Sequence, residues 1–271
     1  MAGERTREIV AQGDVRIEVI AEGNGPVLVM LPSSSRDSED FDDAAAALTR
    51  GGLRVLRPQP RGMARSTGPL EGLTLHDYAR DVATVIEHER SGPVVVLGHA
   101  FGQWVARTLA ADRPDLVGGV VLAAAAAKSA PPILRESLAK CVDVTLPDAE
   151  RLAALRVAFF APGHEPPPEW LSGWHPAASR SQRAASAATP QEEWWNAGSA
   201  PILDLQGAQD PWRPRVTVDD FRRDLGADRV TVVVIPDCSH AMFPEQPDAV
   251  VREVLAWVRG LGGNFSRPLS A

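Results

Sequence analysis

The chain has 271 residues, 44% hydrophobic and 23% charged, with a formal net charge of −7. That length suits one α/β domain with an insertion, and a core large enough to need no disulfide or metal staple. The acidic balance excludes bulk-charge attraction to nucleic acid or to an anionic membrane.

Cys141 and Cys238 are too few for a disulfide framework and form no ligand-spaced cluster. Residues 1–10 are charged and hold no signal-peptide-like apolar run. No apolar run approaches the roughly 18 residues of a membrane span. The expectation is a cytoplasmic protein with no nucleic-acid or membrane partner. Monomer and homodimer both stay open.

In chain order, Arg7–Gln12 and Val15–Ala21 predict an opening hairpin turning at Gly13-Asp14. Pro26–Leu31 follows as a continuous apolar run, the mark of a strand buried on both faces. Similar runs recur at Leu53–Arg57, Pro93–Leu97, Val117–Ala123, Pro201–Leu205 and Val230–Ile235. Helical segments separate them: Asp40–Arg50, Thr74–Arg90, Gly102–Arg113, Val218–Leu225 and Pro247–Arg259. This alternation predicts an α/β fold with a mostly parallel, eight-stranded sheet flanked by helices, the hairpin adding antiparallel strands at one edge.

Residues 128–199 break the rhythm. They hold helical stretches at Ile133–Val144 and Asp148–Phe160 and a Pro-rich turn at Glu165–Pro168, but no strand-like run. The expected organisation is a core of residues 1–127 and 200–260, a helical cap of residues 128–199 inserted into it, and a poorly ordered tail from 261 to 271.

The run Val94–Leu97 leads into Gly98-His99-Ala100-Phe101-Gly102 and then directly into a helix. A glycine on either side of a central residue, between strand and helix, is the context of a nucleophile elbow. The central residue sits on a strained turn that projects its side chain into a site. The glycines stay small because strand and helix backbones approach closely there.

On these residues the chain resembles the α/β-hydrolase-fold enzymes, from about Val15 to about Val258. Further matching pieces are Leu31-Pro32-Ser33, the loop Pro60–Ser66, Gly207–Pro211 and Ser239-His240-Ala241. The order elbow, acid, histidine is also the family's. The resemblance implies that Asp210 orients His240, which acts as general base. It also implies an oxyanion hole built from the backbone N–H of Phe101 and of Ser33 or Ser34.

The departure lies at the elbow itself, where the family carries Ser, sometimes Cys or Asp, and this chain carries Ala100. Alanine cannot form an acyl- or alkyl-enzyme. Three readings follow. The alanine is an engineered replacement of a hydrolase's Ser or Asp nucleophile. Or it is native, and His240 activates water or deprotonates the substrate, as in a lyase, isomerase or cyclase. Or the pocket only binds a ligand.

Other groups carry less. His99 reads as packing beneath the elbow. His164 and His175 fit a solvated helix face, and Cys238 fits a buried thiol. Ser33 and Ser34 are near the site but do not occupy the strained turn that would aim a nucleophile. No histidine or acid cluster has metal spacing, and the first βα junction has no dinucleotide glycines, so neither metal nor cofactor is expected. Phe159, Phe160, Trp174 and Trp212 are the expected wall of an apolar pocket for a small, largely apolar ester, lactone or related carbonyl substrate.

Overall fold

Branched apolar residues dominate Val94–His99, and alternate side chains of this strand enter two different cores. Val94 and Val96 pack into one cluster, Val95 and Leu97 into the other. Both faces of the central sheet are thus buried, as a parallel sheet covered by helices requires.

The computed structural model describes residues 4–128 and 130–262, and the backbone of Arg267–Pro268. Its strands are β1 (Thr6–Gln12), β2 (Val15–Gly23), β3 (Val27–Leu31), β4 (Arg54–Pro58), β5 (Ser91–Gly92), β6 (Val94–His99), β7 (Val117–Ala123), β8 (Ile202–Gly207), β9 (Val230–Ile235) and β10 (Arg267–Pro268). Eight of them form one sheet in the order β1-β2-β4-β3-β6-β7-β8-β9. The β1–β2 and β2–β4 pairs are antiparallel and the other pairs are parallel. The short β5 and β10 pair with each other. Apart from Leu261, Gly262 and this backbone pairing, the expected tail lies outside the described residues.

The main-domain helices are α1 (Asp42–Arg50), α2 (Leu75–Glu89) and α3 (Phe101–Asp112). Between β7 and β8 lie α4 (Pro132–Val142), α5 (Asp148–Ala158), α6 (Pro176–Ala188) and the single turn α7 (Gln191–Trp194). Then come α8 (Asp220–Leu225), α9 (Met242–Glu245) and α10 (Pro247–Gly260). Residues of α2 and α3 fill the cluster on one face of the sheet, and residues of α1 and α10 fill the other. None of the described helices is long and apolar enough to cross a membrane.

A third cluster joins α4 and α5 to the main domain through Leu134, Leu155, Phe159, Trp170 and Trp212. Helix α6 has no counterpart in the sequence reading. Its run of Ala, Ser, Gln and Arg holds no large apolar side chain to mark a buried face.

The chain leaves β3 through α1 to β4 on one side, then returns through α2 to β6 on the other. The strand order therefore reverses between β3 and β6. A crevice opens outside the carboxyl ends of these two strands, the usual ligand position in open α/β sheets.

Candidate active site

Four junctions meet at that crevice: the Ser33-Ser34 loop after β3, Ala100 after β6, Asp210 after β8 and His240 after β9. Ala100 has φ 49° and ψ −108°, a backbone conformation that favours glycine. The flanking glycines explain why the strain is held. A Cβ on Gly98 would stand 2.3 Å from the backbone N of Gln103, and one on Gly102 would stand 2.3 Å from the carbonyl oxygen of Leu31. The chain thus keeps an elbow's strained geometry while residue 100 offers only a methyl group.

His240 Nδ1 lies 2.9 Å from Oδ2 of Asp210. The other oxygen, Oδ1, accepts from the backbone N–H of Trp212 at 2.8 Å. The side chains of both members of the pair are buried, 5% exposed for His240 and 0% for Asp210. A carboxylate on Nδ1 selects the tautomer with the proton there and leaves Nε2 as the basic nitrogen. Aromatic rings flank the imidazole, with Phe159 at 5.4 Å and Trp212 at 5.5 Å between centroids. The Trp212 ring is itself fixed by Nε1 donating to the carbonyl of Ala158 at 2.7 Å.

Beneath the elbow, burial and the neighbouring His240 hold His99 neutral, its pKa lowered to about 3. Its Nε2–H donates to the backbone carbonyl of His240 at 2.8 Å.

A cavity of about 400 Å³ opens above these groups, lined by Ser33, Ser34, Ala100, Phe101, Trp212 and His240 among others. Phe101 is the first residue of α3, so its N–H precedes the first intrahelical bond and is available to a ligand. In the β3 loop, Ser35 N–H is taken by Gln182 Oε1 at 2.8 Å, and Arg36 N–H by Ser33 O at 3.2 Å. Ser33 and Ser34 remain at the cavity wall.

Phe159 and Trp212 line the cavity, whereas Phe160 and Trp174 do not, which corrects the expected wall. Phe160 packs against Trp170 at 5.0 Å, and Trp174 packs against Phe159 and under the Arg36 guanidinium. Both are buried in the cluster that seats the inserted helices. His164 and His175 are not on a bare solvated face either. His164 sits against Glu245 and Asp237, and His175 against Asp37.

The residues that sequence reasoning missed lie on the inserted helices. Helix α4 turns Arg135, Leu138 and Val142 to the cavity, and α6 turns Ser179, Gln182, Arg183 and Ser186. Both sets have helical spacing along one face. The α6 set is polar, so no apolar period flags it. Among the described residues, no group of three or more His, Cys, Asp or Glu is arranged to hold a metal ion.

Sheet order, strained elbow and an acid–histidine pair behind it define the class. Residues 28–253 match the family model described as "Alpha/beta hydrolase family", and the chain belongs to that family. Among curated relatives, the 2-(acetamidomethylene)succinate hydrolase of Mesorhizobium japonicum is 30% identical over 109 residues, 40% of this chain and 39% of that protein. The soluble epoxide hydrolase of Corynebacterium sp. is 29% identical over 117 residues, 43% and 41% of the two chains. The chain thus spans about two fifths of the length of these relatives. A thermophilic esterase from Thermogutta terrifontis shares the fold with a TM-score of 0.78 at 20% identity, over 96% of this chain and 100% of that one.

Proposed function

We propose that the protein is a hydrolase for a small carbonyl compound with a largely apolar body, an ester or a lactone, and that it works without a covalent enzyme intermediate. One observation carries this reading. His240, oriented by Asp210 at 2.9 Å, lines the same cavity as Ala100, and residue 100 has no nucleophile to stand between base and substrate.

In this reading Nε2 of His240 takes a proton from a water as the water oxygen attacks the carbonyl carbon. The oxyanion that forms accepts hydrogen bonds from the N–H of Phe101 and of Ser33 or Ser34. The bond to the leaving alkoxide then breaks, and the imidazolium returns its proton to that oxygen. Asp210 holds the tautomer and stabilises the imidazolium without itself taking a proton. Each oxyanion donor contributes roughly 3 kcal/mol to such a transition state. The hydrolases among the relatives support the reaction class.

The same free base supports a second reading, direct proton abstraction from an acidic C–H or O–H of the substrate. The test is a panel of small esters and lactones assayed with the chain, with His240→Ala and with Ala100→Ser. General-base hydrolysis predicts turnover without a burst, a loss of about 10²- to 10⁴-fold in His240→Ala, and a burst of product in Ala100→Ser. Saturable ligand binding with no turnover, unchanged in His240→Ala, overturns it in favour of a binding protein.

A further inference from the structure

Arg135 on α4 and Arg183 on α6 both line the cavity that holds His240 and Ala100. Neither guanidinium has an ion pair or side-chain hydrogen bond among the described residues. The chain has an excess of acids, 35 Asp and Glu against 28 Lys and Arg, yet among the described residues no Asp or Glu lines this cavity. Glu136 follows Arg135 in sequence but is not part of the wall. The nearest catalytic acid is already engaged, because the two oxygens of Asp210 are taken by His240 and by the Trp212 N–H. Two buried arginines outside the cavity wall do pair with acids, Arg61 with Asp81 and Arg213 with Asp204.

The position of Arg135 sharpens the point. It sits in the first turn of α4, which has no acidic residue, where helix polarity disfavours a cation. The two arginines come from separate helices, so no local helix pairing accounts for their shared orientation. Both are exposed at the cavity, where a hydrated guanidinium waits at little cost. The fork of each matches a carboxylate or a phosphate through paired N–H donors.

We propose that the substrate ends in an anionic group, a carboxylate or a phosphate. Arg135 and Arg183 hold it at the cavity wall while the carbonyl lies against Ala100 and His240. The position of the carbonyl rests on the hydrolase reading above; the anion site does not. A charged end is thereby added to the largely apolar substrate expected from the sequence.

The test is calorimetric binding of glutarate, 3-phosphonopropionate and neutral glutaramide to the full chain, to Arg135→Gln/Arg183→Gln and to Arg135→Lys/Arg183→Lys. It runs beside hydrolysis of monomethyl glutarate, 2-acetoxyethyl phosphate and dimethyl glutarate. The expected result is that at least one anion binds about tenfold or more tightly than glutaramide, the scale of charge-assisted pairing at a partly exposed site. That preference weakens with added salt, vanishes in the double Gln variant and survives in part in the double Lys variant. The melting temperature stays unchanged, because both side chains are exposed. Carboxylate against phosphate is decided by which ester, monomethyl glutarate or 2-acetoxyethyl phosphate, is favoured. Equal binding of anion and amide, or a preference that persists in the double Gln variant, overturns the proposal. Arginine-dependent anion binding with no ester turned over sinks the hydrolase reading alone.

Discussion

His99 and His240 are joined by a hydrogen bond from the Nε2–H of His99 to the backbone carbonyl of His240, 2.8 Å long. The residue before the elbow therefore fixes the loop that carries His240. Phe41 and Phe243 meet the His99 ring edge-on and hold it in place. Burial, with a lesser contribution from the neighbouring His240, lowers the pKa of His99 to about 3.

That shift predicts a pH-dependent stability with a definite sign. The unfolded chain takes up a proton on His99 near its ordinary value of 6.5. The folded chain does so only near 3. Between those values the unfolded state binds more protons, so this group lowers stability as pH falls from 6.5, by up to about 1.4 kcal/mol per pH unit. Above 6.5 it contributes no slope. Urea unfolding at several pH values should show a shallower acid-side slope in His99→Gln than in the parent. An identical slope would mean that His99 is charged in the fold.

The strain at residue 100 is also measurable. Ala100 holds φ 49°, a conformation that glycine adopts at little cost and other residues at roughly 1–3 kcal/mol. Ala100→Gly should therefore stabilise the protein by about 1 kcal/mol, net of the entropy glycine adds to the unfolded chain. Gly98→Ala should do the reverse and cost several kcal/mol, because its Cβ would meet Gln103 N at 2.3 Å and backbone cannot yield cheaply there. Denaturant unfolding of the two variants reads both effects.

How far these features are legible in the sequence depends on what each residue contacts. Val117–Ala123 and Val230–Ile235 form strands with the bounds their apolar runs suggest, because turn and loop residues bracket both, the first buried inside the sheet and the second half-buried at its edge. Gly98 and Gly102 announce the elbow, since only a close backbone approach requires glycine at both positions. Arg135, Gln182 and Arg183 were not legible, because a polar stripe facing a cavity and one facing water have the same sequence. Phe160 and Trp174 show the converse. Apolar aromatics pack a core as readily as they line a pocket, and only the position of Trp170 and Arg36 beside them decides.

Gln182 couples α6 to the loop after β3. Its Oε1 accepts from the Ser35 N–H at 2.8 Å and from the Ser34 hydroxyl at 3.1 Å, and its side chain is buried. Ser35 itself holds φ 67°, so the loop is strained and this amide is part of what retains it. Gln182→Leu leaves a buried donor unpaired and should cost about 1–3 kcal/mol. Amide exchange at Ser35 should accelerate in the variant more than exchange in β6. If the Ser35 amide stays as protected as before, Gln182 is not what holds the loop.

Glu245 does for the histidine loop what Gln182 does for the loop after β3. One carboxylate oxygen accepts from the Ala161 N–H and the other from the Ser239 N–H, each at 2.6 Å. Its side chain is only 1% exposed, and His164 Nδ1 stands 3.1 Å away. Burial raises its pKa, while the two N–H donors and the nearby His164 act in the opposite direction. Ser239 precedes His240 and Ala161 lies two residues after Phe159, so one carboxylate ties the His240 loop to the cavity wall. A backbone bond from Ala241 N–H to Phe159 O at 2.8 Å runs alongside. Glu245→Gln is nearly isosteric, yet its amide has one acceptor where two donors converge. It should destabilise the fold by about 1–3 kcal/mol and lower kcat more than it raises KM, because His240 loses its fixed position while Arg135 and Arg183 are untouched. A KM effect without a kcat effect would place Glu245 in ligand binding and remove it from the positioning of the base.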